Sequence, residues 1–162
     1  MDREAMEKAK LVLSLRKEEA DAVSKLDALP PRQQFPSLFE GLFLRGIKID
    51  RIQPGAVFYS FKVPPRLTDS RGTLSPGAIA DLVDVAGGSA VLSYGLPAEV
   101  TVNLSIQYLS SPKIDDELEM TAKLLKNDGS YSNTSIHLRN KTTGELVASC
   151  QQLCSVKPRS KI

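Results

Sequence analysis

Histidine, cysteine and tryptophan are scarce in this chain of 162 residues, which contains one histidine, two cysteines and no tryptophan. Two cysteines and one histidine are too few for a zinc finger or another Cys/His cluster, so no metal site is expected. A mechanism that uses a histidine base has one candidate, His137. Because its neighbours Ile136 and Leu138 occupy the apolar face of a strand-like run, His137 is expected on the polar face.

The net charge is also small, and long apolar segments are lacking. The 21 Lys and Arg residues are nearly balanced by 19 Asp and Glu, which gives a formal charge of +2. Nucleic acid is therefore not an expected partner, since phosphate recognition usually requires a strong basic excess. No segment approaches the roughly 18 consecutive apolar residues of a membrane span. With 41% hydrophobic residues, the chain is expected to form one main globular domain.

The two ends of the chain resemble appendages. Residues 1–29 contain no Gly or Pro and mix acids with bases, which predicts a helix rather than a targeting signal. Pro30-Pro31 ends it, so we predict a helical extension at 1–30, a main domain at 31–157 and a tail at 158–162. Ser160-Lys161-Ile162 resembles the Ser-Lys-Leu peroxisomal address and predicts a peroxisomal location, with a solvated tail of a cytoplasmic protein as the alternative.

Hydrophobic periodicity predicts two helices and six strands in the main domain. Helical spacing covers 35–46 and 76–94, and strand-like runs cover 47–52, 56–63, 99–109, 117–125, 131–140 and 145–156. The last four strands are predicted to form a three-hairpin meander. In the first of them, one side carries Val100, Val102, Leu104, Ile106 and Tyr108. An antiparallel sheet with one long helix on a single face is an α+β arrangement.

The long helix is apolar almost all round. Ser75 is its expected N-cap and Pro76 suits its first turn. Because one small sheet cannot cover every side of such a helix, we expect a second copy to cover the rest, in a homodimer or homotetramer. Asp81 and Asp84 interrupt the apolar pattern as helical neighbours. They either reach solvent at the helix edge or include a general base or nucleophile in a cleft.

The run from Arg71 to Asp84, RGTLSPGAIADLVD, resembles the signature of hotdog-fold acyl-CoA thioesterases of the small phenylacetyl-CoA and fatty-acyl-CoA type. That signature reads Gly-Thr-Leu-His-Gly-Gly, followed by a helix with Leu-Val-Asp at the end of its second turn. The run Val100–Lys113 also resembles the third strand and following turn of that family. The resemblance covers about residues 47–156. It implies a hotdog fold, with a sheet wrapped around one central helix, and a hydrolase of fatty acid metabolism.

The resemblance also implies roles for individual residues. Asp84 holds the position of the family's general base or nucleophile, and Asp69 that of an Asn that helps to position the attacking water. Thr101 holds the position of an assisting hydroxyl, and the Gly77 amide is the nearest donor for the thioester carbonyl. The implied substrate-binding residues are Ser75, Tyr108, Ser111, Lys113 and Lys126. No cofactor is implied beyond coenzyme A as part of the acyl-CoA substrate.

Three positions depart from the family pattern or from simple geometry. Ser75-Pro76 replaces His-Gly, and losing one oxyanion donor typically costs about 3–4 kcal/mol, or roughly 100- to 1,000-fold in rate. Asp69 in place of Asn would raise one carboxyl pKa if it lay close to Asp84. Thr101 alternates with Val100 and Val102, so it should point away from its own helix unless a bulge reverses the register or the site forms between subunits.

The expected function is hydrolysis of an acyl-CoA thioester by water that Asp84 activates. A catalytically impaired acyl-CoA-binding or assembly module on the same fold is the alternative, because of Ser75-Pro76. A hotdog hydratase or dehydratase usually needs a His partnered with an acid, and Ser75 occupies the His position. Cys150 and Cys154 lie on one strand at about 13 Å separation, too far for a disulfide, and are expected to be reduced thiols.

Overall fold

The computed structural model describes residues 10, 14, 17–27, 38–98 and 100–155. The chain divides into two units, residues 1–38 and 39–162. In the first unit, helix α1 spans Lys17–Asp27, within the stretch predicted to be helical. The predicted helix end at Pro30-Pro31 and the predicted tail at 158–162 lie outside the described residues.

From Leu38 onward, the described residues form two α-helices and six strands in the predicted order. A short 3₁₀ turn at Pro65–Leu67 lies within the predicted loop before the long helix. The elements are α2 (Leu38–Leu44), β1 (Lys48–Gln53), β2 (Ala56–Lys62), α3 (Pro76–Ser93), β3 (Val100–Tyr108), β4 (Glu117–Asn127), β5 (Tyr131–Asn140) and β6 (Leu146–Ser155). Periodicity therefore predicted the two α-helices and the six strands of this part of the chain, but not the 3₁₀ turn.

The six strands form one antiparallel sheet in the order β1-β2-β4-β5-β6-β3. The predicted three-hairpin meander is wrong in one pairing, because β3 pairs with β6 and not with β4. The segment between β3 and β4 does not form a tight turn. It is bonded to the loop before α3 instead, since the Leu74 amide donates to the Pro112 carbonyl at 2.8 Å and the Ile114 amide to the Gly72 carbonyl at 3.1 Å.

Helix α3 packs across the sheet and forms the core with it, which confirms the α+β arrangement. Its buried residues are Ala78, Ile79, Leu82, Val83, Ala86, Gly87, Ala90 and Val91. The opposite side is only partly covered: Asp81, Asp84 and Val85 are half-buried, and Leu92 is 59% exposed. One copy of the chain therefore leaves a face of its central helix open.

The histidine and the cysteines lie where the strand patterns place them. Ile136 and Leu138 are buried, and His137 lies on the other face of β5, as predicted. Cys150 and Cys154 are free, buried thiols on β6, also as predicted. No helix within the described ranges is long and apolar enough to cross a membrane.

Candidate functional site

The N-terminus of α3 is held by the loop that precedes it. The Ser75 amide donates to the Leu67 carbonyl at 2.8 Å, and Ser75 has extended N-cap geometry with φ −62° and ψ 136°. Its hydroxyl makes no capping hydrogen bond, so the N-cap position was predicted correctly but the side-chain bond was not. Pro76 is the first helical residue, and Gly77 is exposed behind it. The amide N–H groups of a first helical turn have no acceptor within the helix, so they can donate hydrogen bonds to a negatively charged oxygen.

Two turns further along α3, Asp84 is half-buried and its carboxylate meets strands β3 and β6. The Thr101 hydroxyl donates to Asp84 Oδ1 at 2.7 Å. The structure thus brings together two residues that the sequence identified separately. Asp81, one turn earlier on the helix, has a pKa raised by burial and also by the negative charge of Asp84.

A β-bulge explains how Thr101 reaches the helix. The register between β3 and β6 shifts between Thr101 and Asn103, so alternation is interrupted at that point. Leu104 and Ile106 remain on the core side as predicted, whereas Val102 is 44% exposed. The expectation that Thr101 points away from its own helix is therefore wrong, because the extra residue in the bulge reverses the side on which it lies.

Gln152 on β6 completes the hydrogen bonds around Asp84. Its Nε2 lies 2.7 Å from Asp84 Oδ1, 2.9 Å from Thr101 Oγ1 and 3.0 Å from the Asp84 main-chain carbonyl. On its other side, the Thr134 hydroxyl donates to Gln152 Oε1 at 3.1 Å. Gln152 is 1% exposed and Thr134 is fully buried. These four side chains form one continuous polar network between α3 and the sheet.

Sequence reasoning missed Gln152, Thr134 and the glycine that accommodates them, Gly87. A Cβ atom on Gly87 would lie 1.8 Å from Gln152 Oε1 and 2.8 Å from Thr134 Oγ1. A signal for Gln152 was present, because it follows Ala148 and Cys150 in the inward register of β6. A polar side chain in a core-facing register needs a hydrogen-bond partner, and such residues often belong to a site.

Burial disfavours the thiolate form of the two cysteines near this network. Burial raises the pKa of Cys150 to about 11, and the charge of Asp84 adds to the increase. Burial also raises the pKa of Cys154, although a hydrogen bond with Thr101 opposes the increase. Within the described ranges no group of three or more His, Cys, Asp or Glu side chains could hold a metal ion. The groups that the structure brings together around Asp84 are its own carboxylate, the hydroxyls of Thr101 and Thr134, and the side-chain amide of Gln152.

Asp69 is bound within its own loop and not to Asp84. Its Oδ2 accepts two hydrogen bonds from the Arg71 guanidinium, at 2.7 and 3.0 Å, and Oδ1 accepts from the Thr73 hydroxyl at 3.0 Å. The Arg71 guanidinium is the main reason that the pKa of Asp69 lies at about 2. The expected increase from a nearby Asp84 does not occur within one copy of the chain, and the role of Asp69 stays a prediction.

The predicted substrate-binding residues lie in two places. The Tyr108 hydroxyl donates to the Pro76 carbonyl at 3.3 Å, which places it at the start of α3 beside Ser75. Ser111 and Lys113 line a cavity of about 260 Å³. Pro112, Asp116 and Val147 also line it.

Lys126 is separated from that group. It lines another cavity, of about 350 Å³, together with Tyr94 and Leu96. Lys126 is near one end of β4 and Glu117, close to Lys113 in the chain, is at the other end. This length of strand corresponds to about 30 Å, so the structure does not bring Lys126 and Lys113 together within one copy of the chain.

The chain is similar to thioesterases of known sequence and structure. A family model described as the thioesterase superfamily matches residues 71–147. Acyl-coenzyme A thioesterase 13 of Homo sapiens is 38% identical over 97 residues, which are 59% of this chain and 69% of the human protein. The crystal structure of zebrafish thioesterase superfamily member 2 has a TM-score of 0.70 at 26% identity and covers 89% of this chain and 100% of that chain.

A hypothetical thioesterase protein of Streptococcus pneumoniae TIGR4, crystallised with coenzyme A, has a TM-score of 0.69 at 23% identity, over 76% of this chain and 95% of that chain. This likeness concerns the fold, a six-stranded antiparallel sheet around one long helix. The predicted hotdog fold is thereby confirmed. Given the matched family model and the human relative, this chain belongs to the thioesterase superfamily.

Proposed function

We propose that this protein is an acyl-CoA thioesterase in which Asp84 activates a water molecule for attack on the thioester. The observation that carries the proposal is the carboxylate of Asp84, whose Oδ1 accepts hydrogen bonds from Thr101 and Gln152. Among the described residues, no side chain donates to Oδ2, which leaves that oxygen for water on the partly open helix face. A fixed carboxylate with one free oxygen is suited to general-base catalysis.

The proposed reaction needs only the substrate and water. Asp84 takes a proton from water while the water oxygen bonds to the thioester carbonyl carbon. The carbonyl oxygen becomes an oxyanion, and its collapse breaks the C–S bond. The coenzyme A thiolate takes up the proton held by Asp84, so the products are a free acid and coenzyme A.

The start of α3 is the proposed position of the oxyanion. Gly77 and Asp84 are about 10 Å apart along the helix, so the Gly77 amide and the Asp84 carboxylate that act on one thioester would come from two copies of the chain. Pro76 has no N–H, so the Gly77 amide is the first donor available in the helix. Gly77 is exposed, and the positive end of the helix dipole reinforces its amide. We propose that the nearby Tyr108 and the cavity lined by Ser111 and Lys113 bind coenzyme A, because an ammonium group can pair with its phosphates.

Release of free coenzyme A from a panel of acyl-CoA esters tests this function. The panel covers short to long acyl chains and phenylacetyl-CoA, and a thiol reagent reports the product. Background labelling is expected to be small, since both cysteines of the protein are buried. Binding of the same esters in a calorimeter without any turnover would overturn the proposal and favour the acyl-CoA-binding module, which the Ser75-Pro76 replacement motivates.

We also propose that a second copy pairs along strand β3, in a homodimer or a homotetramer. Both β1 and β3 are edges of the sheet. Strand β1 carries three charged residues, whereas β3 has the uncharged sequence VTVNLSIQY with Val100 and Val102 exposed. Long uncharged edge strands usually have a partner, since they otherwise promote aggregation. Pairing there would also bring a second chain toward the open face of α3.

Replacing Val102 with Lys is expected to reduce the mass in solution to that of one chain, 17.7 kDa. A charge on the edge strand disfavours strand pairing. Light scattering after size exclusion measures the mass, and Ile52→Lys is the matched control because Ile52 is a similarly exposed apolar residue on the charged edge strand β1. A wild-type protein that already has the mass of one chain would contradict this proposal.

For localisation, we propose that Ser160-Lys161-Ile162 directs the protein to peroxisomes, where it would act in fatty acid metabolism. A fluorescent protein fused to the N-terminus is expected to give punctate fluorescence that coincides with a peroxisomal marker. The same fusion without residues 160–162 should be diffuse. Diffuse fluorescence from both fusions would reject the peroxisomal address and favour a cytoplasmic protein.

A further inference from the structure

The side-chain amide of Gln152 has one orientation that its surroundings permit. The Thr134 hydroxyl can donate a proton to Oε1, at 3.1 Å. The other end of the amide faces three acceptors, namely the Asp84 main-chain carbonyl, Asp84 Oδ1 and Thr101 Oγ1. Carbonyl and carboxylate oxygens accept and do not donate, so the NH₂ group must point at Asp84. Thr134 thus fixes which end of Gln152 meets the carboxylate.

The direction of the remaining proton follows from this orientation. Because Nε2 donates to Thr101 Oγ1, the Thr101 proton is free to point at Asp84 Oδ1, 2.7 Å away. Both neighbours therefore donate to the same carboxylate oxygen. Two converging donors fix the rotation of the Asp84 side chain and orient Oδ2 away from them.

Gly87 makes this approach possible. It lies one turn after Asp84 on α3, where a methyl group would overlap Gln152 Oε1 at 1.8 Å and Gln152 Cδ at 2.8 Å. Cβ atoms essentially never make non-bonded contacts shorter than 3.0 Å, so any side chain at position 87 must displace the amide. The next residue, Gly88, has no atom within 4 Å of its Cβ position. The close contact with Gln152 is therefore specific to Gly87, since the neighbouring glycine has empty space at the same point.

We propose that Gln152, placed against Gly87, is a positioning residue for hydrolysis: it holds the Asp84 carboxylate and the Thr101 hydroxyl in the orientation that presents Oδ2 to water. The inference rests on the proposed function and adds to it a residue that need not touch the substrate. A group that acts by orienting the base should affect kcat and leave the binding of coenzyme A unchanged.

Gln152→Leu removes the amide and leaves a branched apolar side chain that is one atom shorter. It is expected to lower kcat by about 10- to 100-fold while KM stays within about threefold, because a misoriented base loses rate and not substrate affinity. Gln152→Glu keeps the shape but places a second carboxylate beside Asp84. Since two close carboxylates share a proton, activity of this variant relative to wild type is expected to rise as pH falls from about 8 to 6. A residue with only a structural role would not give this pH profile.

Gly87→Ala tests the same contact from the other side and should reproduce the loss of kcat. In a Gln152→Ala background the overlap with Gln152 is gone, and Thr134 Oγ1, which then has no amide to bond, can turn away from its remaining 2.8 Å contact, so adding Gly87→Ala is expected to cause little further loss. Gly88→Ala is the matched control on the same helix and should keep wild-type kcat. Circular dichroism and the Tm identify any variant that fails to fold.

Each outcome decides one proposal. Wild-type kcat in a folded Gln152→Leu protein, or additive effects of Gly87→Ala and Gln152→Ala, would overturn the positioning role while the thioesterase activity stands. A wild-type protein that hydrolyses no ester of the panel would overturn the proposed function itself. Reduced kcat with an unchanged KM in Gln152→Leu, and the pH-dependent recovery in Gln152→Glu, would support the inference.

Discussion

Replacing Asp84 with Asn is expected to lower kcat for acyl-CoA hydrolysis by about 100- to 10,000-fold, the usual effect of removing a positioned general base. The amide oxygen of Asn can still accept the hydrogen bonds from Thr101 and Gln152. The network and the fold should therefore survive, and the change removes basicity without leaving a cavity. Steady-state kinetics on the best ester of the panel, with KM and Tm measured alongside, separate the loss of chemistry from a loss of binding or stability.

Asp81→Asn is the matched control for this prediction, because it makes the same change one turn earlier on the same half-buried helix face. Within the described residues Asp81 has no hydrogen bond to Thr101 or Gln152, so its replacement should change kcat by less than about threefold. Equal hydrolysis by wild type and Asp84→Asn would rule out Asp84 as the base.

Local patterns were sufficient to predict the helices and strands, but not the pairing of β3. Alternation of apolar residues is a property of one strand, and it revealed β3 to β6 individually. The pairing of β3 with β6 depends on the path of residues 109–116, which bond to the loop before α3. Such contacts between distant segments leave no periodic signal in either segment, so a hairpin was the wrong inference.

The same limit applies to the individual residues of the site. Asp84 was predicted because a carboxylate interrupts an apolar helix, and its position matched a family signature. The orientation of Thr101 was predicted incorrectly, because the extra residue in the bulge interrupts the alternation between Thr101 and the rest of β3. Gln152 and Gly87 are far apart in sequence and meet only in the folded chain. Their contact could not be predicted from the sequence, because neither residue type indicates a site by itself.

Replacing Pro76 with a residue that has a backbone N–H is expected to raise kcat by up to about 100- to 1,000-fold, the range that one oxyanion donor typically contributes. Pro76 is exposed at the first position of α3, where the following amide of Gly77 is the first donor. Pro76→Ala supplies an amide and retains helix propensity, and Pro76→Gly supplies the same amide in the form found in the family signature. Pro76→Ala should lower the free energy of unfolding by only about 0.4–1 kcal/mol, and Pro76→Gly by about twice as much, because each change restores flexibility to the unfolded chain and glycine restores more.

Pro65→Ala is the matched control, since Pro65 is also exposed and begins a helical turn, the 3₁₀ turn before α3. It loses a proline without adding a donor at the proposed oxyanion position, so its kcat should equal that of wild type. A wild type that binds acyl-CoA without turnover, together with a Pro76→Ala variant that hydrolyses it, would identify this chain as an impaired member whose missing donor is the main defect. Unchanged kcat in both Pro76 variants would mean that the Gly77 amide alone stabilises the oxyanion, and that Ser75-Pro76 leaves catalysis intact.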